Sequence, residues 1–152
     1  MKKFALSATL LLSACASPSL QGVFKAPAPS VDTLAPVASA APKPGARTAA
    51  QFDTTTAADR AAATVTVAPA GEQALGTTLA TLGSPADPGI WMKTPLVTAL
   101  TQGRVDYNGT AINVELRPSG GAAGSGSQIS LPAMRLLGAP LTGIVELKVF
   151  AG

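Results

Sequence analysis

The chain predicts a mainly β fold, a small β-barrel with one short inserted helix, standing behind an N-terminal export signal and a disordered tether. Three observations carry that expectation. Short Thr-, Val- and Leu-bearing stretches recur from Leu75 onward, separated by Gly/Pro turns. Asn108-Gly109 is the strongest short hairpin signal and lies between two such stretches. The first third of the chain is instead rich in Ala, Pro and Ser, without the apolar bulk of a core.

Residues 1–14 read as a signal peptide. Lys2 and Lys3 form a positive start, and Phe4 to Leu12 follow as an apolar stretch broken only by Ser7 and Thr9. Nine helical residues would reach about 14 Å, half of a bilayer's hydrocarbon thickness, so the segment suits a signal and not a membrane span. Leu12-Ser13-Ala14-Cys15 then has the form of a lipobox: an apolar residue, two small residues and a cysteine. Small side chains suit the subsites beside a peptidase cut, and the thiol is the nucleophile that takes a diacylglyceryl group. Over residues 1–15 the chain closely resembles bacterial lipoprotein signals. Cys15 is the only cysteine, which excludes an internal disulfide. Several acyl chains on Cys15 would anchor the protein stably, where one would not. Ala16, and not Asp, follows the cysteine, so the expected location is the outer membrane, facing the periplasm.

Residues 15–46 are expected to be a lipidated, disordered tether containing Pro18, Pro27, Pro29, Pro36, Pro42 and Pro44. In polyproline geometry it would reach on the order of 90 Å. Residues 47–74 form a short helix and linker. There Thr56 can cap an alanine-rich helix, and Asp59 sits in its first turn. With almost no apolar face, that helix either frays or docks on the domain.

The barrel is placed at 75–152. Leu75 to Leu82 reads as a strand ending at Gly83-Ser84-Pro85, and Asp87-Pro88-Gly89 is a second turn. Ile90 to Thr94 with Leu96-Val97 reads as one strand interrupted at Pro95. Gly103 to Tyr107 and Ala111 to Leu116 flank the hairpin turn. In the second arm Ile112, Val114 and Leu116 alternate with Asn113, Glu115 and Arg117, which marks a half-buried strand. Ser119 to Ser127 is a glycine-rich loop without the lysine or spacing of a phosphate loop. Ser130 caps a short helix, Leu131 to Leu137, with Pro132 in its first turn and Gly138 just beyond its end. Ile144 to Phe150 is the last strand.

Composition narrows the function. The formal charge is +3, but removing Lys2 and Lys3 from the 11 basic residues leaves 9 against 8 acidic ones. With no basic cluster and 4% aromatics, a nucleic-acid surface is not expected. The chain has no histidine, so the commonest metal ligand and neutral-pH proton carrier are both missing. No metal and no cofactor are expected.

The order of elements from Val105 to Phe150 resembles the double-psi β-barrel of the rare lipoprotein A family, also similar to the first domain of expansins. The pieces that carry it are Asn108-Gly109, Ile112 to Arg117, the glycine-bearing loop, Ile129-Ser130-Leu131 with Leu137-Gly138, and Val145 to Phe150. Active members of that family cut peptidoglycan glycan strands with acidic residues at positions that here are Pro118 and Ser130, so the resemblance implies a barrel without that chemistry.

A second resemblance, over most of 47–152, is to small alphaproteobacterial lipoproteins. It rests on Gln51-Phe52-Asp53-Thr54-Thr55, Leu75-Gly76-Thr77-Thr78, Trp91-Met92-Lys93-Thr94-Pro95-Leu96-Val97 and Ala133-Met134-Arg135-Leu136-Leu137-Gly138-Ala139-Pro140-Leu141. Members often carry the name "D-galactarate dehydratase". Sugar-acid dehydration requires a base beside the carboxylate and an acid for the departing hydroxide. The acidic residues here are scattered singly.

No catalytic residue is assigned. Glu115 and Glu146 fall on solvent-facing strand positions, and Asp106 lies beside a turn. Trp91, Arg117 and Ser130 are the candidate liners of a ligand groove, with a core role the commoner fate of a single tryptophan. Arg104, Arg117 and Arg135 would suit an anion if the fold gathered them. The expected function is a non-catalytic, membrane-anchored envelope lipoprotein that binds peptidoglycan or an envelope protein. The alternatives are an enzyme, either a D-galactarate dehydratase or a divergent lytic transglycosylase, and a passive spacer.

Overall fold

A computed structural model describes residues 39–64, 68 and 70–152. The lipobox, Cys15 and the tether up to residue 38 lie outside the described residues. The rest is mainly β. Six strands close into a barrel: β1 (Gln73–Leu82), β2 (Trp91–Thr94), β3 (Thr101–Tyr107), β4 (Thr110–Pro118), β5 (Ser127–Ile129) and β6 (Val145–Ala151). Around the barrel they run β1-β5-β2-β4-β3-β6. The β1–β5 and β2–β4 pairs are parallel, and the other four are antiparallel. Exchanging the first three strands with the last three reproduces every pairing, so the barrel consists of two topologically equivalent interlocked halves.

Alternation builds the core. In β4 Ile112, Val114 and Leu116 are buried, and in β6 Val145, Leu147 and Val149 are buried while Glu146 and Lys148 are exposed. Each fully buried side chain of this kind contributes about 1.5–3 kcal/mol by leaving water. The β3–β4 turn has Asn108 at φ 50° and Gly109 at φ 85°, both left-handed, as a type I′ turn requires. Helix α1 (Ala49–Phe52) and helix α2 (Ala57–Ala63) precede the barrel, and helix α3 (Leu131–Leu136) follows β5. Ser130 caps α3 by accepting from the Ala133 N–H, Pro132 lies in its first turn, and Gly138 takes φ 67° just past its end.

Three details differ from the sequence expectation. The strand at Trp91 ends at Thr94 and does not resume at Leu96-Val97. Pro95 cannot donate to a ladder, and the Leu96 N–H instead turns back to the Thr94 hydroxyl at 3.3 Å. The glycine-rich loop ends earlier than expected, because Ser127 to Ile129 forms β5 between β1 and β2. Three residues carry too little alternation to announce a strand. Helix α1 was not expected; its capping box pairs Thr48 with Gln51.

The alanine-rich helix docks. Thr56 and Asp59 cap α2 reciprocally, Ala63 is buried, and Asn113 Nδ2 on β4 donates to the Ala62 carbonyl at 3.3 Å. Asp53, between the two helices, accepts from Arg135 Nη1 on α3 at 2.7 Å.

Glu72 stands just before β1 and accepts two bonds from Arg104 of β3, both 2.6 Å. The Arg104 guanidinium also lies 4.4 Å from the Phe150 ring centroid. Arg104's hydrogen bonding holds the Glu72 carboxyl below its ordinary value of 4.5, and Glu72 in turn raises the arginine. A depressed carboxyl stabilises the fold above its unfolded pKa and loses that contribution as pH falls through the folded one. Melting temperature is therefore expected to fall as pH drops from about 4.5. A Glu72→Gln variant should start lower at neutral pH and lose less on acidification. Equal acid slopes for the two proteins would remove the pair from the account.

Candidate functional site

Two neighbouring features stand out on the β1–β5–β2 side of the barrel. The first is an ionic cluster over Trp91. The Trp91 ring is fully buried, and its indole N–H donates to the Asp87 carbonyl at 3.1 Å. Lys93 Nζ and Arg117 Cζ lie 5.0 and 5.1 Å from the ring centroid, within range of cation–π attraction. Both cations meet the Asp87 carboxylate, Lys93 at 3.4 Å and Arg117 at 3.3 Å, and Arg117 Nε also donates to Glu115 at 2.6 Å. Two cations and two carboxylates leave the cluster formally neutral.

The second feature is a groove of about 930 Å³ between β1 and the glycine-rich loop. Thr77, Thr78 and Leu79 form one wall, and Ser119, Gly121 and Gly124 to Gly126 form the other. Ser127 lies at its base, with Lys93, Gln128 and Ile144 at the margins. The Thr78 and Ser127 hydroxyls are 2.9 Å apart, and Ser127 donates to the buried Thr94 hydroxyl at 3.0 Å. A chain of hydroxyls thus runs from the groove into the barrel wall. Ser127 meets hydroxyls and no base, so it lacks the partner that activates a serine nucleophile. Among the described residues, Lys93 is the only ionisable side chain in the lining.

No family model, no curated protein and no solved structure matches this chain. What the site can do follows from its geometry.

The structure separates the three expected groove liners from the groove. Trp91 has no exposed face for a sugar to stack on, and its ring packs against Gly83, where an added Cβ would sit 2.5 Å from Cη2. Ser130 is fully buried, and its hydroxyl accepts from the Trp91 and Ala133 N–H groups at 3.1 and 3.4 Å. Arg117 is partly exposed but committed to Asp87 and Glu115. Trp91 and Arg117 do come together, as ring and cation in one cluster, and Ser130 ties Trp91's strand to α3. Arg104, Arg117 and Arg135 do not gather, since each pairs with its own carboxylate: Glu72, Asp87 with Glu115, and Asp53.

Asp106 accepts from the Gly109 N–H at 3.3 Å, a turn role, and with Glu146 and Lys148 borders a smaller depression of about 370 Å³. Among the described residues no three His, Cys, Asp or Glu side chains are grouped to hold a metal, and no helix is long and apolar enough to cross a membrane.

Sequence reasoning missed the groove. Thr78, Thr94 and Ser127 stand 49 and 33 residues apart along the two hydroxyl contacts, and barrel closure alone brings them together. Lys93 carried a weak signal as an isolated cation on an otherwise buried strand.

Proposed function

We propose that this chain is a lipid-anchored envelope protein, held through Cys15 in the outer membrane and facing the periplasm, whose barrel binds peptidoglycan without cutting it. The lipobox Leu12-Ser13-Ala14-Cys15 supports export and anchoring. The exchange symmetry of the strand pairings supports the double-psi likeness. The observation that carries the binding reading is the groove beside β1. It is open, lined by hydroxyls and glycine backbone, and bordered by a single cation. Glycosidic cleavage by paired acids requires carboxyl groups flanking the bond, and among the described residues none lines this groove. An envelope protein partner is the other ligand such a surface suits.

Two measurements test the reading. Cys15→Ala is expected to move the protein from the membrane fraction to the soluble periplasm, since the acyl chains supply the anchor. Persistence in the membrane fraction would end the lipoprotein reading. Full-length protein incubated with insoluble sacculi should co-sediment and release no new muropeptides. New fragments would make it a lyase or hydrolase, and failure to sediment would turn the groove towards a protein partner.

A further inference from the structure

Resting on that reading, we infer that the groove takes the peptide stems of the cell wall and not its glycan strands. The first reason is the edge of β1. Its residues 73–80 pair with β6, but only Ala80 to Leu82 pair with β5. Thr77 and Thr78 therefore have a strand neighbour on one side only and line the groove, while the Leu79 carbonyl already lies against Gly126, just before β5. An unpaired strand edge presents N–H and C=O groups that the closely spaced amides of a peptide stem can meet, whereas a pyranose chain offers amides only in its N-acetyl substituents.

The equivalent stretch of β4 makes a useful contrast. Its residues 110–114 also pair on one side only, with β3. There the chain supplies its own cover, through α2 and the Asn113–Ala62 hydrogen bond. On β1 the facing wall is the glycine-rich loop, which leaves a trough of about 930 Å³.

Charge and side-chain chemistry agree. Among the described residues, Lys93 is the only charged liner, with a side chain 39% exposed and a 3.4 Å contact to Asp87. That contact uses one of the ammonium's three donors and leaves the others for an incoming carboxylate. Peptide stems carry free carboxylates; the repeating sugar rings depend on hydroxyls and N-acetyl groups. Leu79 and Ile144 are 56% and 69% exposed at the groove, where they suit alanine methyl groups. Sugar rings are commonly held by stacking on aromatic faces, and among the described residues no aromatic side chain lines the groove.

The test is calorimetric titration of the full-length protein in detergent with two probes. One is the synthetic tetrapeptide L-Ala-γ-D-Glu-meso-diaminopimelate-D-Ala, and the other is chitotetraose. The tetrapeptide is expected to bind saturably and chitotetraose not to bind. Lys93→Gln should weaken the peptide about tenfold, the size of one lost charge-assisted hydrogen bond. Because Lys93 also contacts Trp91 and Asp87, a second arm leaves the protein unchanged: a tetrapeptide with its carboxylates amidated should bind the wild type about tenfold more weakly. Binding of chitotetraose in place of the peptide would overturn the inference while leaving the cell-wall reading intact. Retention on sacculi with neither probe bound would do the same. No retention on sacculi would overturn the cell-wall reading itself.

Discussion

Trp91→Ala is expected to lower the stability of the barrel by about 3–5 kcal/mol. The ring is fully buried, its N–H is satisfied by the Asp87 carbonyl, and two cations lie over it. Truncation would empty that volume and leave the Asp87 carbonyl without its donor. It would also deprive Lys93 and Arg117 of the surface that orders them. Since whole domains are stable by roughly 5–15 kcal/mol, this one change would bring the fold close to its limit. Urea unfolding at neutral pH checks it, and a loss below about 1 kcal/mol would mean that the ring contributes little packing to the barrel. Gly83 offers an internal control. Its added Cβ would lie 2.5 Å from Trp91 Cη2, so Gly83→Ala should destabilise the wild type. In the Trp91→Ala background the same change should cost much less, because the clashing atom is gone.

Gly103→Ala is expected to cost about 3 kcal/mol or more, at or above the usual range for an overpacked core. Gly103 sits in β3 opposite Val114 of β4 and Ala151 of β6. An added Cβ would run into the Phe150 carbonyl oxygen and into Cδ1 of the fully buried Leu116. A flexible surface side chain could step aside, but a backbone carbonyl in a closed barrel cannot. Relief would require opening the β3–β6 seam, which Arg104 of β3 also bridges by lying over the Phe150 ring of β6. The expected readout is a lower urea midpoint together with faster amide exchange in β6. An unchanged midpoint would show that the seam has slack.

Local chemistry made much of this fold legible. Asn108-Gly109 can take two consecutive left-handed conformations, so the hairpin and its register followed directly. The alternations in β4 and β6 sorted inward from outward residues, since a strand facing one core repeats every two residues. Ser130, Pro132 and Gly138 bracketed a helix because each satisfies or ends backbone hydrogen bonding at its own position. Leu79 obeys the same alternation, although its side chain is apolar. It takes the outward position beside the buried Ala80 and is 56% exposed, and its same-face neighbours Thr77 and Thr81 are exposed too, by the alternation of β1.

The candidate site was legible only in its parts. Trp91 and Arg117 were expected to line a ligand groove; that they meet instead in one cluster, with the ring sealed inside, depends on β2 lying parallel to β4 with Trp91 opposite Glu115. Nor does spacing along the chain pair Ser127 with Thr78 and Thr94, or place Lys93 at the mouth of a groove.

By itself, the sequence determined the elements whose causes lie within a few residues: the hairpin turn, the helix caps and the alternating strands. Barrel closure decided the rest. It brings residues dozens of positions apart to hydrogen-bonding distance, leaves part of β1 with one neighbour, and encloses the one tryptophan. Those outcomes depend on how long each strand is relative to its partners, a property of the assembled sheet that no local window of the chain contains.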